Sequence, residues 1–142
     1  MVKISVEIHD RELQKLLSKL SSLDLSAPMK DISIYMKSSV LKNFEAQGRP
    51  ERWKPLSPEY AEWKARHGYS SKILIRKHRL MQSISARSGT NYARIFTGVD
   101  YGIYHQLGTK KMPARPFLVI QDEDVEVAKK ILQSFVEKVA RV

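Results

Sequence analysis

Between Pro28 and Gly48 the apolar residues Met29, Ile32, Met36, Val40 and Phe44 recur every three or four positions, winding one continuous stripe along a long helix. A helix striped in this way is stable in water only when a second layer covers the stripe, so the rest of the chain has to supply one. Pro28 suits a first helical position and Gly48 lies just past the end. The opposite side carries Ile34 and Leu41, either a second core contact or a surface for another subunit, with the core favoured. At the N-terminus Val2, Ile4, Val6 and Ile8 alternate with polar residues, which predicts a strand with one buried face. Asp10 then caps a shorter helix striped by Leu13, Leu16, Leu17, Leu20 and Leu23.

Prolines punctuate the chain from Gly48 to Pro58, so this stretch reads as a loop. Ser57-Pro58-Glu59 is a cap, a first-turn proline and a first-turn acid, opening a short helix that Gly68 closes, with Tyr60 and Trp63 on one face. Residues Ser70 to Arg79 read as an exposed, basic, extended arm, and Leu80, Met81 and Ile84 as a packed turn. Tyr92 to Gly98 follows the Ser88-Gly89-Thr90-Asn91 turn and is expected to pair with the segment around Ile84 to Arg87 as a hairpin. Asp122-Glu123-Asp124 opens a last helix with Val125, Ala128, Leu132, Phe135, Val136 and Val139 on its apolar side. The expected fold is α+β: a small, mainly antiparallel sheet with helices packed on one face and a long basic loop or arm in the middle. At 142 residues, the whole of 1–142 is expected to form a single domain.

The composition narrows the function. The chain has no cysteine, which removes disulfides and thiol chemistry and agrees with a reducing cytosol. Its longest apolar run, Phe117-Leu118-Val119-Ile120, is far below the roughly 20 residues of a membrane span, and the charged N-terminus lacks the apolar stretch of a secretory signal. The net charge of +10 is concentrated in the middle. No acid occurs between Glu62 and Asp100, whereas Lys64, Arg66, Lys72, Arg76, Lys77, Arg79, Arg87 and Arg94 do. Such a stretch attracts polyanions or serves as a solvated surface that meets an acidic protein partner. Lys72, Arg76, Lys77 and Arg79 are the candidate contacts to DNA phosphates, in the reading of the chain as a basic nucleic-acid-binding module.

Catalytic patterns are missing. The four histidines have no paired ligand spacing, there is no Gly-x-Ser-x-Gly elbow, and Gly98, Gly102 and Gly108 match no phosphate-binding loop, so neither a metal nor a cofactor is expected. Gly102-Ile103-Tyr104 occurs in one nuclease family but lacks the partner strand that family needs. Glu62-Trp63-Lys64 has nuclease-like spacing without a strand-borne aspartate, and Glu62 reads as a surface acid. The densest signal is an aromatic turn, a glycine corner, a basic pair and an arginine clamped by prolines. It comprises Tyr104, His105, Gln106, Gly108, Met112, Pro113, Arg115, Pro116 and Phe117, which suit a fixed contact surface for a subunit or partner. In it, Arg115 is a candidate to fork onto a carboxylate of an adjacent chain, and His105 and Gln106 to lock a loop or a neighbour.

Three blocks resemble the Mu-type phage virion morphogenesis proteins, a family of tail-completion and head-to-tail joining factors. They are Trp53-Lys54-Pro55-Leu56-Ser57-Pro58-Glu59-Tyr60; Ile73 to Arg76 with Arg79 to Ile84, where Lys77-His78 replace the usual Thr-Gly; and Tyr104 to Gly108 with Met112 to Leu118. The resemblance implies a non-enzymatic structural protein of a phage or prophage, found in the virion and, during assembly, in the host cytoplasm. It also implies other tail or connector proteins as partners, a homo-oligomeric ring that is hexameric in related groups, and an arm at 70–79 that orders on assembly.

Overall fold

The striped helix is the centre of the molecule. In the computed structural model, which describes residues 4–5, 10–20, 22–75 and 79–140, it runs over Ser26–Glu45 as α2, after β1 (Ile4–Ser5) and α1 (Arg11–Lys19). There follow α3 (Pro58–Arg66), α4 (Arg79–Gln82), β2 (Ser85–Ser88), β3 (Ala93–Thr97), α5 (Gly102–Leu107) and α6 (Asp122–Ala140). The three strands form an antiparallel sheet in the order β1-β3-β2, with Ile4 opposite Thr97 and Ala86 opposite Ile95. α2 lies across β2 and β3 and packs on α6, so the fold is the expected small α+β arrangement. Along β3, Ile95 and Thr97 are buried while Arg94 is exposed, the alternation of a sheet with one covered face.

All five stripe residues of α2 are buried, joined by Ile84, Phe117, Leu118, Ala128 and Leu132 from the other elements. α2 starts two residues before Pro28, which still falls in the first turn, where a missing N–H leaves no intrahelical bond unmade. Ile34 corrects an expectation: it is 58% exposed, because the sheet and α6 together cover one side of α2, and Leu41 is only half-buried against the core. α1 ends at Lys19, and Leu23, beyond it, is exposed. Its cap is as expected, the amide of Leu13 donating to Asp10 Oδ1 at 2.9 Å. α1 is tied to α6 through Lys129, whose ammonium lies 3.0 Å from Glu12, 3.1 Å from Glu126 and 3.3 Å from Asp10. Those carboxylates hold the lysine pKa well above its usual range. The predicted first strand over 2–8 is described only at Ile4–Ser5, and the remainder lies outside the described residues.

A polar stripe runs beside the apolar one, at Tyr35, Ser39 and Asn43, each four residues on from the last. Asp124 of α6 is 1% exposed and accepts from the Tyr35 hydroxyl at 3.0 Å and the Ser39 hydroxyl at 2.5 Å. Its second oxygen also takes the Gln121 amide at 2.9 Å, as the third helical residue does in a capping box. Arg49 donates to Asn43 Oδ1 at 2.9 Å and to the Ser39 carbonyl at 2.7 Å, and Asn43 Nδ2 donates to the Phe117 carbonyl at 2.7 Å. The network joins α2, the 48–53 turn, the 117–119 segment and α6, and each member satisfies the next. Gly48 permits the turn: its φ is +113°, and a Cβ there would stand 2.5 Å from the Trp53 amide nitrogen.

Residues 73–75 differ from the expected exposed, extended arm over 70–79. Ile75 is 4% exposed, Ile73 and Leu74 are half-buried, and the buried Lys64 donates its ammonium to the carbonyls of Lys72 at 2.8 Å and Ile75 at 3.4 Å. Gln47 holds Ile73 from the other side, its amide group bonding both the N–H and the carbonyl. Removing three consecutive apolar side chains from water outweighs the pull of the flanking lysine and arginine, so residues 70–75 are anchored to the core. Arg76 and Lys77, two of the four expected phosphate contacts, lie outside the described residues, as does His78.

Candidate functional site

The three sequence blocks meet in space. Trp53 is buried and donates its indole N–H to the Pro116 carbonyl at 2.7 Å, and Phe44 packs between Trp53 and Phe117 with ring centroids 5.6 Å from each. Arg115 is 7% exposed, and its guanidinium donates to the carbonyls of Lys54 at 2.9 Å and Pro55 at 3.0 Å. Its fork thus grips the chain's own 53–56 loop in place of a neighbour's carboxylate. Gln106 is likewise turned inward, its Oε1 accepting from the amides of Phe117 and Leu118, both at 3.0 Å, while Nε2 donates to the Leu118 carbonyl at 3.1 Å. Phe117 is fully buried. These three members of the expected contact set bond and pack within their own chain and build the platform.

The platform presents a second set outward. Gln106 and the bond from the Arg115 amide to the His105 carbonyl, 2.7 Å, fix α5 against the 115–118 segment. From that helix Tyr104 projects at 55% exposure and Leu107 at 70%. Gly108 ends the helix at φ +77°, where a Cβ would lie 2.7 Å from the Ala114 nitrogen, so the chain turns sharply there. Thr109 and Met112 then bond each other's backbone, placing Lys110 and Lys111 at the exposed tip of a tight turn. Met112 and Pro113 are half-buried beside it, and Pro116 is exposed. The result is a small face of two apolar side chains and two lysines on a rigid support. Leu107 and the Lys110-Lys111 pair belong to the same sequence block, and all three are exposed. Of the expected phosphate contacts that are described, Lys72 and Arg79 are both exposed, Arg79 lying 5.8 Å from the Tyr101 ring centre.

His105 has a different character. Its Nδ1 is buried without a hydrogen-bond partner, and its ring meets Tyr101 edge-on at 5.9 Å. Burial, then the charge of Arg115, holds its pKa below the ordinary imidazole value of 6.5. The folded chain therefore binds fewer protons here than the unfolded chain. The stability tied to neutral His105 is fully present above the unfolded value and is lost as pH falls through the folded one. His105→Phe keeps the edge-on contact and removes the unpartnered nitrogen, so it should leave stability unchanged or raise it by about 1 kcal/mol near neutral pH. In thermal unfolding, the advantage over the parent should widen at acid pH; an equal drop at both pH values would contradict this.

Glu62 pairs with Arg66 one helical turn on and is exposed, a surface acid as expected. No group of three His, Cys, Asp or Glu placed to hold a metal occurs among the described residues, and no helix among them is long and apolar enough to cross a membrane.

Residues 4–137 match the phage virion morphogenesis family. The chain is also 33% identical over 134 residues to Mu-like prophage FluMu G protein 1 of Haemophilus influenzae, covering 92% of this chain and 90% of that one. To FluMu G protein 2 of the same organism it is 34% identical over 131 residues, covering 85% and 87%. No solved structure matches. The chain belongs to the phage virion morphogenesis family, and its role is in building a phage particle together with other phage proteins.

Proposed function

We propose that this protein is a non-enzymatic tail-completion or head-tail joining component. It works as a homo-oligomeric ring, hexameric by analogy with related joining groups, in the host cytoplasm during assembly and then in the virion. The observation that carries this reading is the outward face of α5 and its turn, where Tyr104 and Leu107 are exposed side chains on a helix locked in place by Gln106. An apolar pair on a preorganised support loses little freedom on docking, which is what a subunit or partner contact needs. Gly108, Met112 and Pro113 shape that contact, while Gln106, Arg115 and Phe117 hold it from behind. A head-to-tail ring requires this face to meet an unlike surface of the next copy, and exposed Ile34 of α2 supplies one apolar candidate.

The test is Leu107→Asp, alone and with Tyr104→Asp, supplied from a plasmid to a phage lacking its own copy. Because both side chains face water in the isolated protein, the melting temperature should stay within about 2 °C of the parent. Infectious titre should fall by orders of magnitude. Normal titres with both variants would remove the contact assignment. Direct phosphate contact is the second reading, supported by exposed Lys72 and Arg79 in the acid-free stretch. It predicts DNA binding by the assembled protein that weakens steeply with salt, and absent or salt-insensitive binding would remove it.

A further inference from the structure

A cleft of about 690 Å³ opens between the start of α3, α4, α5 and the 109–112 turn. That is the size of a site that takes a compact ligand or a few side chains. Leu56, Leu74, Leu80 and Met112 give it apolar walls, Tyr60 and Tyr101 add rings, and none of its lining residues is a carboxylate. Two of its cations are already committed, since Lys64 and Arg115 donate to carbonyls of their own chain. Arg79 and Lys111 are both exposed, and neither has an ion-pair partner among the described residues, Arg79 resting over the Tyr101 ring. The cleft also shares Lys111, Met112 and Pro113 with the outward face just described, so a partner that docks on one reaches the other.

We infer that this cleft receives an extended segment of another virion protein, one that seats an apolar side chain against the Leu56, Leu80 and Met112 walls and brings a carboxylate to Arg79 and Lys111. The inference rests on the assembly role and specifies the chemistry of the partner. Charge complementarity selects an acidic ligand, because the cleft offers two cations without an ion-pair partner among the described residues and no carboxylate in its lining. The apolar walls select a polypeptide over DNA, whose phosphate backbone carries no side chain able to cover them.

Photo-crosslinking in phage-producing cells tests this, with a benzoylphenylalanine in place of Met112 in the full chain, and separately in place of Tyr104 on the outer face. The expected result is a crosslink from position 112 to a virion-protein segment in which Asp or Glu stands next to apolar residues. Its yield should fall about tenfold when Arg79→Glu and Lys111→Glu are added. A crosslink from 112 to DNA, to a segment without an acid, or to nothing overturns the inference, as does a yield indifferent to the two charge reversals. Position 104 separates the two failures. If it still crosslinks to virion proteins, the assembly role stands and only the cleft assignment is lost; if it too is silent, the contact reading has failed with it.

Discussion

Phe117→Ala should lower the unfolding free energy by about 4 kcal/mol, the range found for emptying a fully buried aromatic site. The ring has no exposed surface and packs at 5.6 Å on Phe44, which in turn meets Trp53 edge-on. Its loss leaves a cavity at the junction of all three sequence blocks, lined by rigid rings that cannot close over it. The backbone there holds α5, since the Phe117 amide is one of the two that Gln106 clasps. Against a total stability of about 5–15 kcal/mol for an ordinary domain, such a loss is severe. Urea unfolding followed by tryptophan fluorescence measures it, and a decrease below about 1 kcal/mol would mean that the site is not packed as described.

Asp124→Ala should come close behind, at about 3 kcal/mol, for a different reason. The carboxylate is buried, and its removal takes the acceptor from the buried Ser39 hydroxyl and from the half-buried Tyr35 hydroxyl and Gln121 amide. Combining it with Ser39→Ala should cost clearly less than the sum of the single losses, because both remove the same bond. Additive losses in a double-mutant cycle would show that the two side chains do not share an interaction.

The contrast between these residues shows what the sequence discloses. The stripe from Met29 to Phe44, the Asp10 and Ser57 caps, the 85–97 hairpin and the acidic start of α6 at Asp122 are all local patterns, and each lies where its pattern puts it. The polar stripe of Tyr35, Ser39 and Asn43 is equally regular, but its meaning depends on Asp124 and Phe117, more than 70 residues away. Ile73-Leu74-Ile75 mislead because the run is short and the charges around it are conspicuous. In the block from Tyr104 to Phe117 the sequence does not say which side chains turn inward. A sequence names Gln106, Arg115 and Phe117 beside Tyr104, but the fold decides which of them turn inward.

A role in completing or joining phage tails is put to the test by deleting the gene from its parent phage or induced prophage and imaging the particles by negative-stain electron microscopy, with plasmid-supplied protein as control. The expected result is separate heads and tails, or tails of abnormal length, and normal particles once the protein is restored. Normal infectious virions without the protein would contradict it.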